Sequence, residues 1–288
     1  MYHEYTQEEL RQYCRNNIES LEIWARRLIH EKMVEKYGDS YVSKQLEDGN
    51  YLVKSEIRKH IQGMMEKEPT RFHRVVDTLF IDQIIYFLCH PVWYKHLFKP
   101  ALDYIYPQGK DEAREYLNRL VPIRNPLSHS NPITMHDVER AICYSHDFIE
   151  GLKRYYKDRG EEQVWNVPKI VKVKDSLGNV FENNTEDEGL LGVHFHLTQN
   201  MNCGDEYSVE IEVDSSFEST SYDIYWAFNG FRNDKFMNKN KFSITFTPKD
   251  VAMARIIWCW IESKKEWHKY GTHDSKINLH FSILPPIE

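Results

Sequence analysis

Long apolar runs are missing from this chain of 288 residues. The longest apolar stretches, such as Phe80–Leu88, fall far short of the roughly 20 residues that a membrane-spanning helix needs. The first ten residues carry Glu4, Glu8 and Glu9 around no apolar core, so we expect no secretory signal peptide. Charged residues make up 28% of the chain, which is typical of a folded globular protein. We therefore expect a cytoplasmic protein with no membrane partner.

Paired cysteines are also missing. None of the five cysteines belongs to a CxxC pair, and their number is odd; they are Cys14, Cys89, Cys143, Cys203 and Cys259. This spacing excludes a zinc ribbon and argues against a disulfide framework. We expect reduced thiols, most of them acting as small buried hydrophobic side chains.

A strongly basic composition is the third absence. The formal net charge is -7, which argues against a broadly basic coat for nucleic acid. The charge is unevenly distributed, however: residues 1–160 hold 24 Lys and Arg and 24 Asp and Glu, whereas residues 161–288 carry the whole acidic excess. An anionic polymer should therefore prefer the N-terminal part, where a local cationic site remains compatible with the composition.

Residues 1–160 have the periodicity of helices, without internal repeats. A capping box of Thr6 and Glu9 starts a long helix that ends before Gly38. Thr134, as N-cap, starts the last helix, which Gly160 closes. Between them we predict helices over Ser55–Glu66, Pro69–Cys89, Val92–Tyr104 and Asp111–Leu120, with a break at His90-Pro91.

Residues after about 160 have the alternation of strands. Seven short segments rich in Val, Ile, Thr and aromatic residues are separated by turn clusters: Pro168–Lys174, Gly192–Thr198, Tyr207–Val213, Tyr222–Phe228, Lys241–Thr247, Ala254–Ile261 and Ile277–Ile283. This number and spacing fit an antiparallel sandwich of immunoglobulin-like type. The predicted fold class is multi-domain: an all-α helical bundle over 1–160, a linker over about 160–167, and an all-β immunoglobulin-like sandwich over 168–288.

The motif that carries chemistry lies between the last two predicted helices, in Val121–Pro132. Its core is Arg124, Asn125 and His129, in a Pro-flanked turn just before the last amphipathic helix. An Arg and a nearby His are expected once by chance in a chain of this composition. Arg140 and His146 are such a chance match, because six steps along a helix place them about 120° apart.

The sequence around Arg124 and His129 favours chemistry on a phosphate group. A helix start offers free amides and a positive dipole to a phosphate, and Arg124 adds a permanent cation with fork geometry. His129 titrates near neutral pH and can move a proton. Asn125 can orient either partner or a ribose hydroxyl. Together they could cleave RNA without a metal, by attack of a 2′-hydroxyl on the adjacent phosphorus.

Arg-Asn-x-x-x-His at the start of the last helix of an all-helical domain resembles the signature of the HEPN superfamily. The wider run, Arg-Asn-Pro-Leu-Ser-His-Ser-Asn-Pro, is similar to the branch related to a eukaryotic RNA-quality-control endoribonuclease and found in bacterial defence loci. The resemblance covers roughly residues 1–158. It implies that Arg124 binds phosphate, Asn125 supports the site and His129 is the acid–base group. It also implies a homodimer whose two motifs share one cleft, with RNA as partner and neither metal nor cofactor.

Alternatives remain open at this point. Some members of the superfamily carry a Tyr two residues after the His, where AMP is attached; Asn131 stands there in this chain, which puts that regulation in doubt. Many members are non-catalytic and act as dimerisation, RNA-binding or nucleotide-binding modules. In that case Arg124 would pin the turn and His129 would be a structural side chain. A misassigned helical bundle is the third alternative.

The predicted sandwich has two features of its own. His194 and His196 point to one face of a strand, as the polar outer face or as the start of a zinc site. Trp258 and Trp260 share one face of a strand whose other face is also apolar, which predicts a central strand. The alternative is an aromatic ligand pocket that also uses Trp226. Because this part is acidic, we expect a protein or small-molecule ligand for it rather than RNA.

Overall fold

Two compact units make up the chain in the computed structural model, Met1–Glu162 and Gln163–Glu288. The structure describes residues 6–68, 72, 74–128, 133–183 and 188–286. Helices occupy the first unit and strands the second, as the change of sequence pattern indicates. In the described part of the chain, no helix combines the length and apolar character that crossing a membrane requires.

The helical unit is built around the two long helices whose ends the sequence marks most clearly. Both begin at capping boxes, with Thr6 and Glu9 in α1 and with Thr134 and Asp137 in α8. The two helices pack along each other, and the ring centres of Trp24 and Tyr156 lie 6.3 Å apart between them. The helices are α1 Gln7–Tyr37, α2 Ser55–Lys67, α3 Ile81–Leu88, α4 Pro91–Trp93, α5 Lys99–Leu102, α6 Lys110–Asn118, α7 Val121–Ser128 and α8 Met135–Asp158, with α9 Glu162–Trp165 at the boundary between the units.

The predicted helix over Pro69–Cys89 is not continuous in its described part, and its first residues, 69–71 and 73, lie outside the described residues. Its regular part, α3, begins only at Ile81, and a separate 3-10 turn covers Val75–Thr78. The carboxylate of Asp77 accepts hydrogen bonds from the backbone amide and the guanidinium of Arg74, and these bonds cap the start of the 3-10 turn. Such local side-chain bonds compete with a continuous helix, and apolar periodicity alone does not reveal them.

A widened turn explains how the next helical stretch accommodates a proline. The chain breaks at His90-Pro91, as predicted, and residues 91–102 then follow without interruption as α4, a π-helical turn at Tyr94–Phe98, and α5. Pro100 in α5 has no amide hydrogen and would crowd the carbonyl four residues earlier in a regular helix. The π-helical turn lies directly before it, where the wider spacing relieves that contact.

The second unit consists of two sheets that enclose one hydrophobic core. All seven predicted strands are present, and three short ones are added. The strands are β1 Ile170–Asp175, β2 Val180–Glu182, β3 Val193–His196, β4 Met201–Asn202, β5 Glu206–Val213, β6 Tyr222–Phe228, β7 Phe231–Arg232, β8 Lys241–Thr245, β9 Ala252–Ser263 and β10 Ser275–Leu284. One sheet has the order β2-β1-β5-β8, and the other has β3-β10-β9-β6-β7 with β4 also on β10. Buried side chains from both sheets, such as Val209, Phe242, Trp226 and Ile257, form the core between them.

The expectation of purely antiparallel pairing is wrong at one edge. Both β3 and β4 run parallel to β10, with His196 opposite His280 and Met201 opposite Ile283. Side chains alternate with a period of two in either kind of pairing, so the sequence pattern carries no information on strand direction. The larger sheet is therefore mixed.

Candidate functional site

Arg124 lies in a helix, and the prediction of a turn at this position is wrong. The short helix α7 spans Val121–Ser128, and the carbonyl of Leu120 accepts hydrogen bonds from the amides of Ile123 and Arg124. Pro122 fits the first turn, where an amide hydrogen has no helical acceptor. Because Ile123 and Leu127 are buried, α7 is anchored by its apolar face. The side chain of Arg124 remains 31% exposed.

Two side chains from elsewhere in the unit hold the guanidinium of Arg124. Its Nε lies 3.6 Å from Oε1 of Glu22 on α1, and its Cζ lies 5.4 Å from the ring centre of Phe80. The distance to Glu22 is that of an ion pair rather than of a hydrogen bond. The carboxylate therefore attracts Arg124 by charge, while the aromatic face supports the flat guanidinium from a second direction.

Glu22 itself is shared by two arginines. Only 4% of Glu22 is exposed, and its Oε2 accepts a hydrogen bond of 2.7 Å from Nη2 of Arg26. Arg26 also donates to the carbonyl oxygen of Leu79, next to Phe80 in the chain. Two guanidinium groups thus share one buried carboxylate.

The two other residues of the motif are only partly placed. Asn125 follows Arg124 within α7, so these two residues share one helix. His129 and Asn131 lie outside the described residues, and the position of the predicted acid–base group stays a prediction. Of the three candidate catalytic residues, the structure thus locates the side chain of Arg124.

The start of α8 differs from the open anion site that the sequence suggested. Oγ1 of Thr134 accepts the amide of Asp137 at 3.2 Å, and the carboxylate of Asp137 accepts the amide of Thr134 at 3.2 Å. The capping box uses these donors, and Asp137 places a negative charge at the helix end. Arg124 is therefore a better candidate than the helix end for attracting a phosphate.

Sequence reasoning missed Glu22, Arg26 and Phe80. A signal for Glu22 was nevertheless present, because it lies in the apolar stripe of α1 between Ile18 and Ala25. An acid in a buried stripe needs a partner, since an unpaired buried charge is costly. The sequence could not show that the partners would be Arg26 and, from a distant helix, Arg124.

The cysteines do not contribute to this site. All five are free, and three of them are buried: Cys14, Cys89 and Cys259. Burial raises the pKa of the Cys14 and Cys89 thiols to about 11, which disfavours the reactive thiolate. They act as small hydrophobic side chains, as expected.

Three histidines of the β unit, His194, His196 and His280, form a stacked cluster on the outer face of the larger sheet. Nδ1 of His194 lies 2.8 Å from Nε2 of His280, and the rings of His196 and His280 stack with centres 4.6 Å apart. Burial, followed by repulsion from His196 and His194, lowers the pKa of His280. Within the described ranges, no three His, Cys, Asp or Glu side chains are arranged to hold a metal ion.

The tryptophans confirm a central strand and contradict the proposed pocket. Strand β9 lies between β10 and β6, and Trp258 and Trp260 project from its outer face. Trp260 stacks on Tyr225 there, with ring centres 5.4 Å apart. Trp226 points instead into the core, where its Nε1 donates to the carbonyl of Lys239. A ligand pocket that combines Trp226 with Trp258 and Trp260 is therefore wrong.

Comparisons with known proteins identify no family. No family model matches the chain, and no curated protein matches it. Among solved structures, one match is the extracellular domain of a hybrid two-component system protein from B. thetaiotaomicron. It has a TM-score of 0.25 and 10% sequence identity, and it covers 42% of this chain. The chain spans only 16% of the length of that structure.

Proposed function

We propose that this protein is a metal-independent endoribonuclease of the HEPN type, with Arg124, Asn125 and His129 as its catalytic residues. The proposal rests on the sequence motif and on one structural observation. Arg124 is held between a buried carboxylate and an aromatic ring, yet part of its side chain remains exposed. A cation positioned in this way is suited to binding a phosphate that arrives from solvent.

The proposed reaction is an internal transfer at phosphorus. His129 removes the proton of a ribose 2′-hydroxyl, and the resulting oxygen attacks the adjacent phosphorus. The bond from phosphorus to the 5′-oxygen breaks, and a proton supplied by the partner motif's histidine neutralises the leaving oxygen. Arg124 stabilises the negative charge that develops on the phosphoryl oxygens. The products are a 2′,3′-cyclic phosphate and a 5′-hydroxyl.

The proposal also covers the oligomeric state, the RNA substrate, the biological role and the β unit. Two copies of the chain form a homodimer in which both motifs face one cleft in the cytoplasm, and the substrate is single-stranded or loop RNA, whose bases are accessible. A role in bacterial defence or stress response fits the same resemblance. The β unit is proposed to be an immunoglobulin-like sandwich that binds a protein or a small molecule. Its two sheets around one core support that fold.

A non-catalytic HEPN module is the second candidate, and the ion pair at Arg124 favours it. The Glu22 carboxylate lies 3.6 Å from Arg124 and competes with a phosphate for the same guanidinium. If this pair is structural, the unit serves in dimerisation or in RNA or nucleotide binding. This candidate predicts RNA binding without cleavage.

The test is RNA cleavage by the full-length protein and two variants. Wild type is expected to cut mixed RNA in the presence of EDTA. His129→Ala and Arg124→Ala should each reduce the rate by about 10²–10⁴-fold, which is the usual contribution of a general acid–base group or of one charge-stabilising donor. His146→Ala is the matched control, because His146 lies on α8 in the pair that matches the motif only by chance.

Three outcomes separate the candidates. Cleavage by His129→Ala at the wild-type rate contradicts the catalytic role of His129. Binding of RNA by the wild type without any cleavage supports the non-catalytic module. Loss of activity in His146→Ala to the same degree as in His129→Ala would show that the effect is not specific to the motif.

A further inference from the structure

A small cavity in the helical unit is separate from the motif. It has a volume of about 250 Å³ and lies between the segment that follows α5, the helix α6 and the helix α8. Arg124 does not line it. The volume is slightly below the range of about 300–1,000 Å³ that is typical of ligand pockets, so the cavity fits a small organic molecule.

One buried side chain presents an unused polar group to this cavity. Only 5% of Tyr106 is exposed, and Tyr106 lines the cavity. Its hydroxyl has no hydrogen-bond partner among the described residues. Burial, followed by neighbouring acidic groups that include Asp147 and Glu112, raises the pKa of Tyr106, so the phenol is neutral at physiological pH. Because buried polar groups are normally hydrogen-bonded, the unused hydroxyl points to a ligand with a polar group.

The charges around the cavity favour a cationic ligand. Three carboxylates and one guanidinium line it, from Glu112, Asp147, Glu150 and Arg154. Glu150 is paired with Lys153, whereas Glu112 and Asp147 form no ion pair in the described part of the chain. The hydrogen bonds of these two carboxylates come from neutral donors, the amide of Gln108 and the thiol of Cys143. Two carboxylates are therefore available to a cation that enters the cavity.

Tyrosine rings line the cavity beside these carboxylates. The ring centre of Tyr116 lies 6.0 Å from that of Tyr106 and 5.1 Å from that of Tyr144. Arg119, which does not line the cavity, fixes two of these rings. Its guanidinium lies 5.1 Å from the ring centre of Tyr116, and it donates to the hydroxyl of Tyr144. Aromatic rings attract cations through their faces and also pack against methylene groups.

This combination suits an organic amine better than a metal ion. A metal such as Ca²⁺ takes about six to eight oxygen ligands. Within the described ranges, no three acidic, His or Cys side chains are arranged around one point in this way. An alkylammonium needs fewer acceptors, because it has three N–H donors and an apolar chain. The carboxylates match its charge and the tyrosine rings match its chain.

We propose that this cavity binds a small organic amine, such as an aliphatic diamine. An ammonium group of the ligand donates to the carboxylates of Glu112 and Asp147 and to the hydroxyl oxygen of Tyr106. Its methylene groups pack on the neighbouring tyrosine rings. The inference does not depend on ribonuclease activity, because the cavity is separate from Arg124.

The test is calorimetric titration of the full-length protein with diaminobutane and with the uncharged butanediol, at equal ionic strength. The diamine is expected to bind at least tenfold more tightly than the diol, because only the diamine carries ammonium groups. Asp147→Asn and Glu112→Gln should each weaken diamine binding about tenfold, as the loss of one charge-assisted hydrogen bond does. Glu139→Gln is the matched control and should bind like wild type, since Glu139 is exposed on α8 and does not line the cavity.

Two further variants test the chemistry of the ligand. Tyr106→Phe removes a hydroxyl without a partner among the described residues, so it should weaken diamine binding about three- to tenfold without lowering the melting temperature. Arg154→Gln removes a like charge and should bind the diamine at least as tightly as wild type. Weaker binding by Arg154→Gln would contradict a purely cationic ligand.

Equal binding of the diamine and the diol would overturn the proposal. Equal weakening by Asp147→Asn and Glu139→Gln would also overturn it, because it would show only a general attraction of the amine to acidic side chains. Arg124→Ala should keep the wild-type affinity for the diamine. Failure of the ribonuclease proposal and failure of this one therefore remain distinguishable.

Discussion

The helical unit and the β unit stabilise their buried acids by different means. In the helical unit the donors are guanidinium groups: Glu22 lies between Arg26 and Arg124, and Asp77 accepts from Arg74. These buried carboxylates are held mainly by full positive charges from side chains.

In the β unit the hydrogen-bond donors are mostly neutral groups and backbone amides, although Lys169 also attracts Glu188 and Nδ1 of His268 lies 3.1 Å from Asp274. Glu188 accepts from the hydroxyl of Ser275 and the amide of Lys276, and Asp274 accepts from the amides of Ser263 and Lys269. The two units differ in this respect because their backbone amides are used differently. Within a helix each amide hydrogen is already bonded to a carbonyl, so a buried acid such as Glu22 must find a side-chain donor. Loops and strand ends offer free amides to a carboxylate.

Removing the charge of one buried acid in each unit tests this difference. Glu22→Gln should lower the free energy of unfolding by about 3 kcal/mol, because it removes the buried counter-charge that Arg26 and Arg124 share. Glu188→Gln should cost less, about 1–2 kcal/mol. It removes the attraction of Lys169, but neutral donors remain and burial raises the pKa of Glu188. Urea unfolding gives the totals, and hydrogen exchange assigns them to each unit. A larger cost for Glu188→Gln would contradict the comparison.

Two glycines that lie close to other atoms also differ between the units. A methyl group added to the glycine of the helical unit would meet a side chain, and one added to the glycine of the β unit would meet the backbone. A methyl group on Gly192 would lie 2.5 Å from the carbonyl oxygen of Lys276, at a backbone φ of +78°. We expect Gly192→Ala to cost about 2–4 kcal/mol through backbone strain and overpacking together.

On Gly151 in α8 the added methyl would lie 2.2 Å from Cγ1 of Ile105, so this stiff β-branched side chain must shift. Gly151→Ala should cost about 1–3 kcal/mol, somewhat less than Gly192→Ala, because no backbone strain is added and the gain in helix propensity offsets part of the overpacking. Gly63→Ala in α2, where nothing lies within 4 Å, should stabilise by up to about 1 kcal/mol. Thermal unfolding of the three variants checks this order, and a loss of stability in Gly63→Ala would contradict it.

Low pH should lower the free energy of unfolding of the β unit through its histidines. We expect this effect to be smaller than those of the acid and glycine substitutions. Burial lowers the pKa of both His273 and His280 in the folded state. The unfolded chain therefore binds more protons than the folded one as the pH falls below about 6.5. Stability should fall through this range and level off below the folded pKa values. The urea midpoint of His280→Gln should depend less on pH between 7 and 5, and an unchanged dependence would exclude His280 as a source.

Much of the fold follows from local sequence signals. The capping boxes at Thr6 and Thr134 set the starts of α1 and α8, and alternation located seven strands, because these patterns depend on neighbouring residues alone. The start of α3 was missed although its signal is also local, because the amide of Phe80 donates to the side chain of Gln83. The parallel direction of β3 depended on its pairing with β10, which no local pattern encodes.

The phosphate chemistry assigned to Arg124, Asn125 and His129 stays a prediction from the sequence. The surroundings of Arg124 could not be predicted. The partners of Arg124, Glu22 and Phe80, come from distant parts of the chain, and only folding brings them together. The helical conformation of α7 was hidden by its two prolines, which are usually signals of a turn.

The chemical nature of the RNA ends that the protein produces tests the proposed ribonuclease activity most directly. Full-length wild type and His129→Ala are incubated with mixed RNA in EDTA, and the new ends are analysed. We expect 2′,3′-cyclic phosphates and 5′-hydroxyls from wild type and neither from His129→Ala. Products with 3′-hydroxyl and 5′-phosphate ends, or cyclic phosphates formed equally by both proteins, would contradict it.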